Sequence, residues 1–309
     1  MMLRGLVLRS TGSWYMVRAD DGSVFECRLR GQYRIRGIRT TNPVAVGDHV
    51  SFEPEADGNK GVIVDIHDRV NFIIRKSTNL SKASHIIAAN LDLAILVATV
   101  DQPRTSTGFI DRFLVTAEAY HIAAVVVFNK IDLYNVIQMK LLDDLTKVYS
   151  DIGYPCLQLS ARTGLNLDYF KNILQGKTVL ISGHSGVGKS ALINAINPGF
   201  TIKTGEISSV HNKGKHTTTF AEMHATDLGG WIVDTPGIKE FGLYEFEQET
   251  LSQRFPEMRD RMNKCRFANC THLHEPDCAI KVAVENGEIA AFRYKNYMNM
   301  MLNDFSNDN

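Results

Sequence analysis

Gly183-His184-Ser185-Gly186-Val187-Gly188-Lys189-Ser190 decides the fold, because of what stands on either side of it. The apolar run 178–181 precedes it, and a stretch of good helix formers, from Ala191 to Ile196, follows. A glycine-rich turn between strand and helix that ends in Lys-Ser is a phosphate cradle. Its glycines let the backbone curl until its N–H groups face phosphate oxygens, and the helix N-terminus adds a favourable dipole. In such a cradle Lys189 is expected to contact the β- and γ-phosphates, and the Ser190 hydroxyl to ligate Mg²⁺. The loop by itself does not separate ATP from GTP.

Asn129-Lys130-Ile131-Asp132 does, and it lies upstream. It ends the apolar run 125–128, at the carboxyl edge of a strand where ligands bind in open α/β sheets. Asp132 can accept from the N1–H and the exocyclic amine of guanine. Adenine offers no such pair and would leave a buried carboxylate unpaired, at a cost of roughly 1–3 kcal/mol. Asn129 is expected on the base edge, the Lys130 stem over the ring, and the N–H of Ala161, in Ser160-Ala161, on the guanine oxygen. Downstream stands Asp234-Thr235-Pro236-Gly237, where Asp234 would hold Mg²⁺ through water and the Gly237 N–H would sense the γ-phosphate. In most GTP-binding domains the base-reading string comes last. Here it comes first, so the domain reads as circularly permuted.

Between loop and switch runs Gly214-Lys215-His216-Thr217-Thr218-Thr219. One threonine should complete the Mg²⁺ shell, Thr218 ahead of Thr217. Ile238 takes the place where many GTPases keep a water-orienting glutamine, and an isoleucine cannot do that work. His216 is therefore the expected catalytic group.

The flanks differ from this core. Residues 1–70 read as five short strands separated by turn signals, which suits an oligonucleotide-binding type of barrel. Inside it, residues 28–39 hold five arginines, one tyrosine and no acid, a composition for contacting phosphates and stacking a base. Residues 71–244 alternate apolar strands with helical spacing, as a parallel α/β sheet requires. A single strand is expected over 91–100. Residues 245–309 look helical and irregular, and contain Cys265-x4-Cys270-x-His272-x5-Cys278. That spacing is read as a structural Cys₃His site for one Zn²⁺, with His274 as the competing ligand.

Bulk properties narrow the setting. The chain has 309 residues, 44% of them apolar, which supports two or three cores. No run of 18 apolar residues and no leader pattern is present, so neither a membrane span nor secretion is expected. Five unevenly placed cysteines suit a reducing cytoplasm. A formal net charge of zero argues neither for nor against nucleic acid. The complete set of signatures within one chain points to a monomer.

With these strings in this order, the chain resembles the bacterial ribosome small-subunit-dependent GTPases. The resemblance implies an N-terminal barrel, a permuted GTPase core and a C-terminal zinc domain. It implies GTP/GDP and Mg²⁺ as ligands, the 30S subunit and its 16S rRNA as partners, and hydrolysis stimulated by that subunit. It also supports His216 as the catalytic histidine. Two other readings stand beside it: a permuted GTPase of large-subunit assembly, and an RNA-binding adaptor that uses GTP as a conformational ligand.

Overall fold

The computed structural model describes residues 2–31, 43–56, 58–76, 84–197, 221–234 and 248–302. The strands in chain order begin with β1 (Leu3–Ser10), β2 (Tyr15–Ala19), β3 (Val24–Leu29), β4 (His49–Pro54) and β5 (Lys60–Ile66). A hairpin follows, β6 (Phe72–Lys76) and β7 (Ser84–Ala89). The α/β elements are β8 (Leu93–Ala98), α1 (Thr107–Ala119), β9 (Ala124–Phe128), α2 (Val136–Asp151), β10 (Cys156–Gln158), α3 (Leu167–Leu174), β11 (Thr178–Ser182), α4 (Lys189–Ile196), β12 (Glu222–Ala225) and β13 (Trp231–Asp234). The C-terminal part adds α5 (Gln248–Leu251), α6 (Pro256–Arg259), α7 (Ala279–Glu285) and α8 (Ala291–Met301).

The chain divides into two compact units. In the first, β1 pairs with β2, β2 with β3, β3 with β5, β5 with β4, and β4 returns to β1. That circuit is a closed five-stranded barrel. Side chains alternate in and out along β2 and β3, and the inward set (Val7, Tyr15, Val17, Phe25, Cys27, Val50, Phe52, Ile63) fills the interior. Closure removes the open edges that an isolated sheet would expose. Burial pushes the Cys27 thiol up to about 12, so it behaves as a packed apolar group. The first strand starts earlier than the sequence pattern suggests, because Leu3–Leu6 are held by the ladder to β4. Arg28 and Arg30 pair across the barrel with Glu55 and Glu53, at 3.0 and 3.6 Å. The acids missing from that arginine-rich stretch are thus supplied by the loop and strand opposite, while Arg34, Arg36 and Arg39 lie outside the described residues.

Two further ties complete this unit. Arg69 grips the buried Asp48 carboxylate through both oxygens at 2.6 Å, and also donates to the Pro43 carbonyl. Strand β11 runs parallel to β13, β12 pairs antiparallel with β13, and β1 pairs antiparallel with β12 at Arg9–Glu222.

In the second unit, β8, β9 and β10 are parallel neighbours with wholly buried apolar runs in β8 and β9. Strand β8 stops at Ala98, short of the expected end. The Thr105 N–H donates to the Thr99 carbonyl, and the Thr99 N–H donates to the Thr105 hydroxyl, which turns the chain into a tight loop. Ser106 caps α1, and Asn135 with Gln138 forms a capping box on α2. The C-terminal helices pack around Phe255, Met258, Ile280, Ile289, Tyr297 and Met300.

That core encloses charge. Arg293, 1% exposed, donates to both oxygens of Glu257 at 2.8 and 3.1 Å and to Asp111 of α1 at 2.7 Å. Tyr149 and Asn296 supply the remaining donors to Asp111. The guanidinium lies over Phe255, 4.6 Å from the ring centroid. Burial holds the Asp111 carboxyl above its ordinary value despite the adjacent cation.

Removing the cation leaves two carboxylates buried without their partner. Arg293→Ala is expected to cost about 3–5 kcal/mol in urea unfolding near neutral pH. The Asp111 carboxyl, whose folded pKa is raised, stabilises at low pH and loses that contribution as pH rises. The deficit should therefore shrink as pH falls toward 5; an equal deficit at both ends would contradict this account of the network.

Candidate nucleotide site and metal centre

The phosphate loop and the base-reading strip are brought together by one carboxamide. Asn129, 2% exposed at the end of β9, donates through Nδ2 to the Val187 carbonyl at 2.9 Å and accepts through Oδ1 from the Ala161 N–H at 3.0 Å. It thus joins the loop before α4 to the turn after β10. The fit leaves no slack. A Cβ on Gly188 would lie 2.4 Å from Asn129 Nδ2, and the residue has a φ of +98°, so only glycine suits the position. Gly183 is constrained alike, since a Cβ there would meet the Val97 carbonyl oxygen at 2.2 Å.

Within the loop, Lys189 Nζ donates to the carbonyls of Gly183 and His184, both at 2.7 Å. The ammonium thus lies inside the curl of the loop, where a phosphate-binding cation is needed. Ser190 follows in the first turn of α4. The His184 ring rests on Phe109 of α1, with centroids 3.9 Å apart. Burial first, then the charges of Lys189 and Arg112, holds its imidazole below the ordinary value and favours the neutral form.

The base strip is equally ordered. Lys130 adopts a left-handed conformation, φ 65°, and its Nζ donates to the Gln102 carbonyl at 2.6 Å. Asp132 Oδ1 accepts from the buried Ser160 hydroxyl at 2.6 Å, and Arg162 approaches Oδ2 at 4.0 Å. One oxygen of Asp132 is therefore fixed by the Ser160 hydroxyl, while the other faces the Arg162 guanidinium. A carboxylate oriented in this way is what reading two donors of a purine requires.

Of the residues singled out from sequence, Asn129, Lys130, Asp132, Ser160, Ala161, Gly183 to Ser190 and Ala191 are gathered in the second unit. Asp234 ends β13 in the first unit. His216, Thr217, Thr218, Gly237 and Ile238 lie outside the described residues. Sequence reasoning passed over the loop 99–105 and Tyr134, which touch the strip only through the fold.

The cysteine cluster has the geometry of a tetrahedral site. Ligand atoms of Cys265, Cys270, His272 and Cys278 all lie within 4.8 Å of one another. Cys265 Sγ is 4.0 Å from Cys278 Sγ, and His272 Nδ1 is 3.6 and 3.4 Å from those two sulfurs. A tetrahedron with Zn–S about 2.3 Å and Zn–N about 2.0 Å has edges of roughly 3.8 and 3.5 Å. The residues therefore fit Zn²⁺, with Nδ1 as the nitrogen ligand. Burial lowers the His272 pKa, which leaves the imidazole neutral as a metal ligand must be. The same burial pushes the Cys270 thiol up to about 12, so only a cation's field would make it a thiolate. The supporting turn is firm: the Glu275 carboxylate accepts from Thr271, Leu273 and His274, and Tyr294 and Tyr297 donate to the carbonyls of His272 and Thr271. His274 gives its backbone N–H to that turn and is not among the clustered ligands. No helix among the described residues is long and apolar enough to cross a membrane.

Comparison with known proteins agrees with this geometry. The RsgA N-terminal domain family matches residues 4–63, and the RsgA GTPase family matches residues 66–244. The small ribosomal subunit biogenesis GTPase RsgA 2 of Bacteroides thetaiotaomicron is 54% identical over 97% of this chain and 96% of its own length. The small ribosomal subunit biogenesis GTPase RsgA of Christiangramia forsetii is 52% identical over the same shares. Among solved structures, YjeQ from Thermotoga maritima superposes with a TM-score of 0.80 at 38% identity, covering 98% of this chain and 99% of that one. YloQ, a circularly permuted GTPase, superposes with a TM-score of 0.76 at 29% identity, covering 99% and 96%. A permuted order of motifs, a closed N-terminal barrel, a Cys₃His cluster and near-full-length identity all converge: the chain belongs to the RsgA family of circularly permuted GTPases.

Proposed function

We propose that this chain hydrolyses GTP in the biogenesis of the small ribosomal subunit, binding the 30S particle and its 16S rRNA as a monomer in the cytoplasm. The single observation that carries the reading is the Asn129 carboxamide, which sets a guanine strip and a phosphate cradle at one site. The names of the most similar relatives supply the biological setting. Large-subunit assembly is not favoured by any of them.

The division of labour follows the three parts of the chain: residues 1–70 as the RNA-binding barrel, 71–244 as the GTPase and 245–309 as the zinc-bearing helices. Asp132, Asn129, Lys130, Ser160 and Ala161 hold guanine. The backbone from Gly183 to Ala191, with Lys189, holds the phosphates. Ser190 and Thr218 ligate Mg²⁺, Asp234 reaches it through water, and Gly237 senses the γ-phosphate. The metal neutralises charge on the phosphates when bound. With Ile238 unable to orient water, His216 positions the attacking water, and the rRNA surface brings it into place. One Zn²⁺ held by Cys265, Cys270, His272 and Cys278 stabilises the C-terminal part without taking part in chemistry.

Turnover of GTP should rise strongly with purified 30S particles and not with 50S particles, and His216→Ala should abolish the rise while leaving GTP affinity intact. Unchanged stimulated turnover in that variant would remove His216 from the mechanism. Asp132→Asn should lose GTP and gain xanthosine triphosphate, since the new amide pairs with the extra carbonyl; retained GTP affinity would overturn the guanine assignment. Elemental analysis should find one zinc per chain, lost in Cys270→Ala together with thermal stability; wild-type protein prepared with zinc present but holding no metal would refute the site.

A further inference from the structure

Loop 99–105 is stapled to the base strip at three points. Tyr134, just after the strip, donates its hydroxyl to the Asn129 carbonyl at 2.7 Å and accepts from the Val100 N–H at 3.0 Å. Lys130 Nζ donates to the Gln102 carbonyl at 2.6 Å. Gln138, in the first turn of α2, donates to Asp101 at 2.8 Å. The loop also holds its own shape, because the Thr99 hydroxyl donates to the Pro103 carbonyl, the Thr105 N–H to the Thr99 carbonyl, and the Thr99 N–H to the Thr105 hydroxyl. Its far side reaches the phosphate loop: Pro103 Cδ would be 3.4 Å from a Cβ on Gly186.

Tyr134 is the hub of this arrangement. One phenol oxygen serves the first residue of the strip as donor and the loop as acceptor. Burial, then the charges of Asp101 and Asp132, pushes the phenol up to about 12, so the proton it donates stays in place across the neutral range. The Gln102 carbonyl that receives Lys130 lies two residues beyond the Val100 N–H that Tyr134 holds. Fixing Val100 therefore fixes the acceptor that orients the Lys130 side chain. A long, flexible lysine held this way keeps one orientation before any nucleotide arrives, and preorganised groups bind more tightly than mobile ones.

We propose that Tyr134 is a positioning residue for guanine nucleotides: through the loop 99–105 it sets the orientation of Lys130. This rests on residues 129–132 being the guanine strip. Tyr134 acts on the ligand only through these neighbours, so its contribution should vanish when Lys130 cannot be oriented.

A double-mutant cycle on the full chain tests this, with GDP affinity read by fluorescence titration and apo stability by thermal melting. Tyr134→Phe is expected to weaken GDP binding roughly three- to tenfold, the effect of one lost hydrogen bond. In a Lys130→Ala background the same change should cost less than about twofold, because the coupled pair is already broken. Equal losses in both backgrounds would assign Tyr134 a merely structural role and overturn the proposal, as would no loss in the wild-type background. If Tyr134→Phe does not fold, the cycle is run with Asp101→Ala, which releases the same loop, and the same outcomes decide. Asp132→Asn serves as the control. If it retains GDP affinity, the guanine strip itself is misassigned; if it loses affinity while Tyr134→Phe does not, only the role of Tyr134 fails.

Discussion

The side chain of Asn129 is the constraint on which the nucleotide site depends. It spends its donor on the Val187 carbonyl of the phosphate loop and its acceptor on the Ala161 N–H of the turn after β10. Three stretches far apart in sequence thereby share one rigid frame. Circular permutation changes which of them is made first, but not this geometry, because a carboxamide is indifferent to chain direction. What the permutation does alter is the continuation of the chain beyond residues 234–237, which now runs on toward the helices that carry the Cys₃His cluster. The absence of any Cβ at Gly188 is the matching condition on the other side of the contact.

The C-terminal helices depend on a different kind of contact. Arg293 and Asp111 are far apart in the chain, yet both are almost fully removed from water. Such a pair adds little net stability over an apolar contact of the same size, but it strongly penalises any arrangement in which one partner is missing. Its value is therefore in register. Helix α8 meets α1 with the guanidinium placed between two carboxylates and over an aromatic ring, and a helix rotated by one residue would bury an unpaired charge. The Cys₃His cluster packs against the same core of helices that encloses the ion network.

Much of this was legible in the amino-acid sequence, and the reasons are local. Phosphate loops announce themselves through glycines whose conformations no other residue tolerates, and metal sites through spacing of soft ligands. The strands of the barrel follow from alternation and turn residues, and α2 from its apolar spacing and the Asn135–Gln138 box. The hairpin β6–β7 was not legible, since its pairing rests on a partner strand rather than on its own pattern. Nor was the buried network: no local pattern marks Asp111 or Arg293 for burial, and only the fold sets them against each other. Residues 99 and 100 were read as the end of a strand because Val100 is apolar, whereas the hydroxyls of Thr99 and Thr105 turn the chain away from the sheet.

The pairing of β1 with β12 bears on how this protein reaches its native state. Arg9 stands opposite Glu222, so this one pairing of β1 cannot form until most of the chain has been made. Contacts between such distant residues form late and slow the search, because a large loop must close before any ladder bond forms. The barrel can close on itself through β1 and β4 much sooner. The barrel can thus form before β12 exists, and the single Arg9–Glu222 pairing is added once residue 222 has been made.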